Sequence, residues 1–91
     1  MEVIHDYEKK KFHIGKDNII AEMTYIRSGT NIIIEHTLVD SKHRGEGLGT
    51  ILLDGVADFA RKSELILLYH IDFKGNILPN AYWHKRCVKH R

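Results

Sequence analysis

Cysteine, long apolar stretches and a targeting segment are scarce or missing in this sequence. Cys87 is the one cysteine among 91 residues, which excludes an internal disulfide and suits a reducing compartment. No apolar run approaches the roughly 20 residues of a membrane span. Residues 1–6 have no basic stretch followed by an apolar core, so they do not read as a signal peptide. We therefore expect a cytoplasmic protein without membrane contact.

A strong charge bias and a zinc-ligand pattern are also missing. The net charge is +2 with histidine neutral, which is too small by itself to indicate nucleic acid. Seven histidines are present, but none has a zinc-site spacing with cysteines, so no metal is predicted. The 91 residues suffice for a single domain over residues 1–91. Because so small a domain is marginally stable, we expect a monomer or a weak homodimer that gains stability from a ligand or a second copy.

The N-terminal half predicts an antiparallel meander. Apolar residues at a period of two predict strands over residues 10–14, 19–27 and 32–39. Turn signals rich in Gly, Asp, Asn and Ser separate them at residues 15–18 and 28–31. Short turns between consecutive strands favour antiparallel pairing, so we predict a meander of three strands.

The C-terminal half predicts a helix followed by further strands. Residues 48–61 carry one apolar stripe at helical spacing, and residues 65–69 form a short apolar run. The run predicts a fourth strand, parallel to the third through a right-handed crossover. A turn signal within residues 71–78 permits a hairpin, and residues 81–91 predict a short basic helix capped by Asn80. The predicted fold class is α+β, with a central helix and a short C-terminal helix.

A glycine-rich turn joins the third strand to the helix. Gly45, Gly47 and Gly49 fall within five residues, directly before the helical pattern. Glycine lets backbone N–H groups face a ligand closely, and the first turn of a helix suits an anionic phosphate. No lysine follows Gly49, so the turn is not a P-loop, and the glycine spacing differs from the dinucleotide fingerprint. The spacing that remains is R-x-x-G-x-G, beginning at Arg44. The alternative is a glycine-rich turn between strand and helix that binds no ligand.

The third predicted strand has two faces. Ile32, Ile34, His36 and Leu38 share one face, and Glu35 lies on the other with Ile33, Thr37 and Val39. Strict alternation thus predicts that His36 lies among apolar neighbours. A buried, hydrogen-bonded structural histidine and a functional histidine at the end of a strand remain equally open.

The segments 34–39 and 44–49 resemble the acetyl-coenzyme A motif of the GNAT acetyltransferase superfamily. The resemblance extends over about residues 10–66 and points to the minimal group of GNAT-related domains. It implies a GNAT-like fold, acetyl-coenzyme A as co-substrate, and acetyl transfer to an amine of a small molecule or a peptide. The coenzyme-binding residues that it implies are Leu38, Val39, Arg44, Gly45, Glu46, Gly47, Leu48, Gly49 and Thr50.

The resemblance implies direct attack of a neutral amine on the thioester. His36 is the first candidate for the base, because histidine titrates near neutrality. Glu35 is the second candidate, and since the two alternate in the strand, only one of them is expected to face the thioester. The pantetheine arm is expected to lie along the backbone near Leu38 and Val39 as an added strand.

The C-terminal third departs from the family pattern. Pro79–Trp83 resembles the expected Pro-x-Cys-Pro motif about ten residues late, with Ala81 in the place of its cysteine. Cys87 lies six residues further on and is not expected to be a nucleophile. Two alternatives follow: a coenzyme A-binding module without catalysis, and, less favoured, nucleic-acid binding by the cations and aromatics of residues 82–91.

Overall fold

The computed structural model describes residues 2–71, 77–78 and 88–90. In chain order its strands and helix are β1 (Val3–Asp6), β2 (Lys11–Ile14), β3 (Ala21–Ser28), β4 (Asn31–Val39), α1 (Leu48–Lys62), β5 (Ile66–Ile71), β6 (Ile77–Leu78) and β7 (Val88–His90). A short 3₁₀ helix, Ser41–His43, follows β4. The α+β class with one central helix is confirmed, and no described helix is long and apolar enough to cross a membrane.

The strands form one sheet whose first four members are antiparallel neighbours. β1 pairs with β2, β2 with β3, and β3 with β4. β5 then pairs parallel to β4, as the crossover through α1 predicts. Both β6 and β7 pair antiparallel with β5, and β6 also lies close to β4. The predicted meander and the parallel fourth strand are therefore present, and the permitted hairpin is formed by β5 and β6.

Two elements differ from the predictions. The meander has four strands, because Val3–Asp6 adds β1 before the first predicted strand. At the other end, the last residues of the predicted helix form strand β7, which pairs with Leu67, Leu68 and Tyr69. The rest of that predicted helix, residues 81–87, lies outside the described residues, as do Asn80 and the Ala81 and Cys87 positions.

A β-bulge at Glu35 changes which side chains of β4 face the core. Thr24 of β3 stands opposite His36, but the next residue, Tyr25, stands opposite Ile34, so Glu35 has no partner of its own. An extra residue in one strand shifts the alternation of the side chains beyond it. His36 is exposed, which contradicts its predicted place among apolar neighbours, and Thr37 takes the core side instead.

Helix α1 covers one face of the sheet and closes the core. Its buried residues are Leu48, Leu52, Val56, Ala57 and Ala60. They pack on buried side chains of the strands, including Phe12, Ile14, Ala21, Met23, Tyr25, Ile32, Ile34 and Leu67. Gly55 lets β1 approach the helix, because a Cβ there would stand 3.1 Å from Cγ1 of Val3. β1 is thus held to the core from the edge of the sheet.

His5 of β1 is enclosed by aromatic rings. Its ring stacks on Phe12 at 4.0 Å between centroids and meets the edge of Phe59 at 4.5 Å. Its Nε2 and the Tyr25 hydroxyl are hydrogen-bonded at 2.6 Å. Burial lowers the pKa of His5, although the neighbouring Asp6 carboxylate acts in the opposite direction. His5 is therefore held neutral as part of the packing between β1, β3 and α1.

The free energy of unfolding should fall as the pH drops below about 6.5, the ordinary pKa of histidine. The unfolded chain binds a proton at His5 more readily than the folded chain does, so protonation favours unfolding. His5→Phe keeps an aromatic ring and should flatten this part of the stability profile. Urea unfolding of both proteins from pH 7.5 to 5 measures it. Equal slopes in the wild type and His5→Phe would refute the assignment to His5.

Candidate active site

The chain turns sharply after β4 and is held by short-range polar contacts. The Asp40 carboxylate accepts a hydrogen bond from the Lys42 backbone N–H at 3.4 Å, and the His43 N–H donates to the Asp40 carbonyl at 2.9 Å. His43 Nδ1 lies 3.2 Å from a carboxylate oxygen of Glu46. The Arg44 side chain is exposed. These contacts fix the path of the loop and leave its guanidinium in solvent.

Two glycines of the turn are required by the backbone. Gly45 has φ +85° and Gly47 has φ +75°, a region that side chains bearing a Cβ rarely adopt. Gly49 is different, since it is the second residue of α1 and its φ is not positive. A Cβ built on Gly49 meets no atom within 4 Å. The fold alone therefore gives no reason for a glycine at position 49.

The N-terminus of α1 carries no side-chain cap. Gly47 is the N-cap residue, and no acidic side chain lies in the first turn. The first intrahelical hydrogen bond runs from the Ile51 N–H to the Gly47 carbonyl at 3.1 Å. The preceding N–H groups, of Leu48, Gly49 and Thr50, have no intrahelical acceptor and carry the positive end of the helix dipole. Together with Arg44, this end of the helix is suited to an anion.

β4 and β5 are paired only at the start of β4. Their parallel register runs from Asn31, opposite Ile66, to Ile33, opposite Leu68. Among the described residues, 34–39 pair with β3 on one side, and no strand pairs with them on the other, although β6 lies close to β4. A strand edge of this kind offers N–H and C=O groups to an extended ligand.

The bulge brings both candidate bases to the surface. Glu35 and His36 are both exposed, so burial does not distinguish between them as candidate bases. The Thr24 hydroxyl donates to the His36 carbonyl at 3.4 Å and ties the bulged strand to β3. No group of three or more His, Cys, Asp and Glu among the described residues is arranged to hold a metal ion.

Beyond the bulge, the side chains of Leu38 and Val39 lie on the faces opposite to those that strict alternation predicts. The Leu38 side chain is 54% exposed, whereas Val39 is half-buried on the core side. Leu38 borders an open groove of about 410 Å³ between the end of β4 and the start of β3. The other lining residues are Ile19, Ile20, Ala21, Glu22, Val39 and Asp40. A one-residue bulge leaves no clear signal in a single sequence, so the faces predicted for Leu38 and Thr37 were wrong.

Known proteins with the same arrangement identify the family. Residues 11–70 match the family model of the GCN5-related N-acetyl-transferases, and the match contains β2 to β5, the glycine turn and α1. The chain belongs to this family. GCN5-related N-acetyltransferases generally use acetyl-coenzyme A.

Solved structures of GCN5-related N-acetyltransferases share this fold. A GCN5-like protein from Staphylococcus aureus is 36% identical, with a TM-score of 0.58 over 72% of this chain and 66% of that one. Nourseothricin acetyltransferase is 27% identical, with a TM-score of 0.54 over 64% of this chain and 37% of its own. The ribosomal-protein-S18-alanine N-acetyltransferase from Escherichia coli is 18% identical, with a TM-score of 0.58 over 69% and 43%, and shows the fold alone. No curated protein matches the chain significantly.

The chain covers less than two thirds of the length of each of these structures. The family membership rests on residues 11–70, all of which lie in the described part of the chain.

Replacing Gly47 and Gly49 by alanine should have opposite effects on stability. Gly47→Ala should lower the free energy of unfolding by about 1–2 kcal/mol, because a Cβ disfavours positive φ. Gly49→Ala should leave it unchanged or raise it by up to about 1 kcal/mol, because alanine favours a helix. Urea unfolding without ligand measures both. A large loss of stability in Gly49→Ala would show that the fold itself needs this glycine.

Proposed function

We propose that this protein binds acetyl-coenzyme A and transfers its acetyl group to an amine by direct attack. The observation that carries the proposal is the uncapped N-terminus of α1, where Gly49 leaves open space that the fold does not need. The helix follows β4 after a short loop, in a chain of the GCN5-related family. We therefore assign the open space beside Gly49 to the coenzyme.

The turn would hold the coenzyme by its pyrophosphate. The N-terminus of α1 favours negative charge, and its free backbone N–H groups belong to Gly47, Leu48, Gly49 and Thr50. The exposed Arg44 can add its guanidinium. The Thr50 hydroxyl is exposed and is a further donor in the first turn. Gly45 and Glu46 would shape the turn through positive φ and the contact with His43.

The strand edge beyond Ile33 would receive the pantetheine arm. Residues 34–39 diverge from β5, and the arm carries amide groups that can pair with backbone N–H and C=O groups as an added strand does. The predicted contacts with Leu38 and Val39 are then contacts with their backbone. This arrangement directs the thioester toward the bulge at Glu35 and His36.

The reaction needs a neutral amine, a base and donors for the oxyanion. The amine nitrogen forms a bond with the thioester carbonyl carbon, and the tetrahedral intermediate collapses with loss of the coenzyme thiolate. His36, exposed at the bulge, is proposed to accept the proton that the amine nitrogen loses, and the thiolate takes up a proton on release. Glu35 stands beside it as the alternative base.

A non-catalytic coenzyme A-binding module is the second candidate. The sequence feature that favours it is Ala81, which stands where the family motif has cysteine. Assays of acetyl-coenzyme A turnover with a panel of polyamines, simple amines and peptides distinguish the two. Product mass identifies the acceptor, and binding without turnover of any acceptor favours the module. The nucleic-acid alternative rests on residues that lie mostly outside the described part of the chain.

Gly49→Val should weaken coenzyme A binding by roughly tenfold or more. The side chain would occupy the space beside the first-turn N–H groups, while position 49 tolerates it in the backbone. Calorimetry with coenzyme A, ATP and NAD measures the affinities, and the wild type should prefer coenzyme A. Asp54→Val, at an exposed site of the same helix, is the matched control and should bind normally. Normal binding by Gly49→Val would reject a pyrophosphate at this turn.

His36→Ala should lower kcat roughly 100-fold and leave the affinity for coenzyme A nearly unchanged. Since His36 is exposed, the thermal midpoint should hardly move, so a loss of activity reflects chemistry and not unfolding. Glu35→Gln tests the alternative base in the same assay. Retention of the wild-type kcat by His36→Ala would assign the proton transfer to another group.

A further inference from the structure

Thr37 on β4 has a buried hydroxyl for which the described part of the chain offers no partner. Its Oγ1 is shielded from solvent, yet no hydrogen-bond partner is found for it in the part of the chain that the structure describes. A buried polar group without a hydrogen bond destabilises the folded state, and such groups are rare in native proteins. Valine has nearly the same shape and would avoid the cost of burying a hydroxyl without a hydrogen bond. Stability of the fold therefore does not explain the hydroxyl.

The position of Thr37 connects it with the strand edge. It follows His36 directly, beyond the bulge at Glu35, and stands opposite Met23 on the side of the sheet that α1 covers. It lies four residues past Ile33, the last residue of β4 that pairs with β5. The residue as a whole is only half-buried, so solvent reaches part of it.

We infer that the Thr37 hydroxyl donates a hydrogen bond to a carbonyl oxygen of the acyl-pantetheine arm. The inference rests on the proposed function and adds a side-chain contact to it. A hydroxyl is one of the few donors that can reorient without moving the backbone, because rotation about the Cα–Cβ bond exchanges it with the methyl group. An arm lying along residues 34–39 brings its amide and thioester carbonyls past this position.

The alternative occupant of the site is a water molecule. An ordered water needs two or more polar partners, and Thr37 stands opposite Met23, whose side chain is fully buried. The carbonyl of an entering ligand needs a single donor. The observations therefore favour a ligand acceptor, and a bound water is an outcome of the test that would overturn the proposal.

The experiment measures stability and affinity in the same variants. Thr37→Val removes the hydroxyl and keeps the shape, so the thermal midpoint of the free protein should rise by roughly 4 °C or more. The dissociation constant for acetyl-coenzyme A should increase by roughly 3- to 10-fold, because the hydrogen bond to the carbonyl is lost. Thr37→Ser keeps the hydroxyl and should bind within about twofold of the wild type. Thr30→Val, at an exposed turn position, is the remote control and should not change affinity.

A comparison of acetyl-coenzyme A with coenzyme A, which lacks the thioester carbonyl, shows which carbonyl accepts the hydrogen bond from Thr37. Equal loss of affinity for both ligands supports a pantetheine amide, and loss for acetyl-coenzyme A alone supports the thioester carbonyl. Unchanged affinity of Thr37→Val for both ligands overturns the inference, whatever its stability. If the wild type itself binds neither ligand, the proposed function fails, and that result is distinct from an unchanged variant.

Discussion

The unequal pairing of β4 on its two sides is the constraint on which the candidate site depends. β3 follows β4 along its whole length, but β5 follows it only from Asn31 to Ile33. The buried part of β4 is anchored in the core by Ile32 and Ile34, so the rest of the strand can project beyond β5 without losing its position. A strand whose edge no other described strand pairs is a better frame for an extended ligand than a loop, because its backbone groups are already oriented.

The bulge at Glu35 separates two tasks within this strand. Before it, alternate residues of β4 serve the core; after it, the alternation is shifted by one residue, so that Thr37 and Val39 face α1 and His36 and Leu38 face solvent. Without the extra residue, His36 would be directed into the core, where an ionisable ring is costly unless it is hydrogen-bonded. The bulge therefore allows a polar, reactive surface to follow directly after a buried stretch of the same strand.

The sequence was sufficient for the elements that depend on local periodicity and on turn chemistry. Helix α1 and strands β2 to β5 follow from the spacing of apolar residues, and Gly45 and Gly47 mark a turn that only positive φ can make. β1 was missed because its four residues have no alternating burial, and its stability comes from contacts that are distant in sequence, such as Val3 against Gly55. The exposure of His36 could not be predicted either, since the position of a bulge depends on the partner strand as well as on the bulged one.

Gly49 and Thr37 show a common physical feature of the candidate site, although they lie on different elements. At each position a residue better suited to the folded state is available: alanine for the helix at Gly49, and valine for the half-buried strand at Thr37. A domain of 91 residues has a small margin of stability, so such choices have a measurable cost. Ligand binding to the folded state alone would offset it, by about 2.7 kcal/mol when the ligand is at 100 times its dissociation constant. Gly49 and Thr37 are each suboptimal for folding. The ligand proposed above, which would contact both residues, explains why they are present.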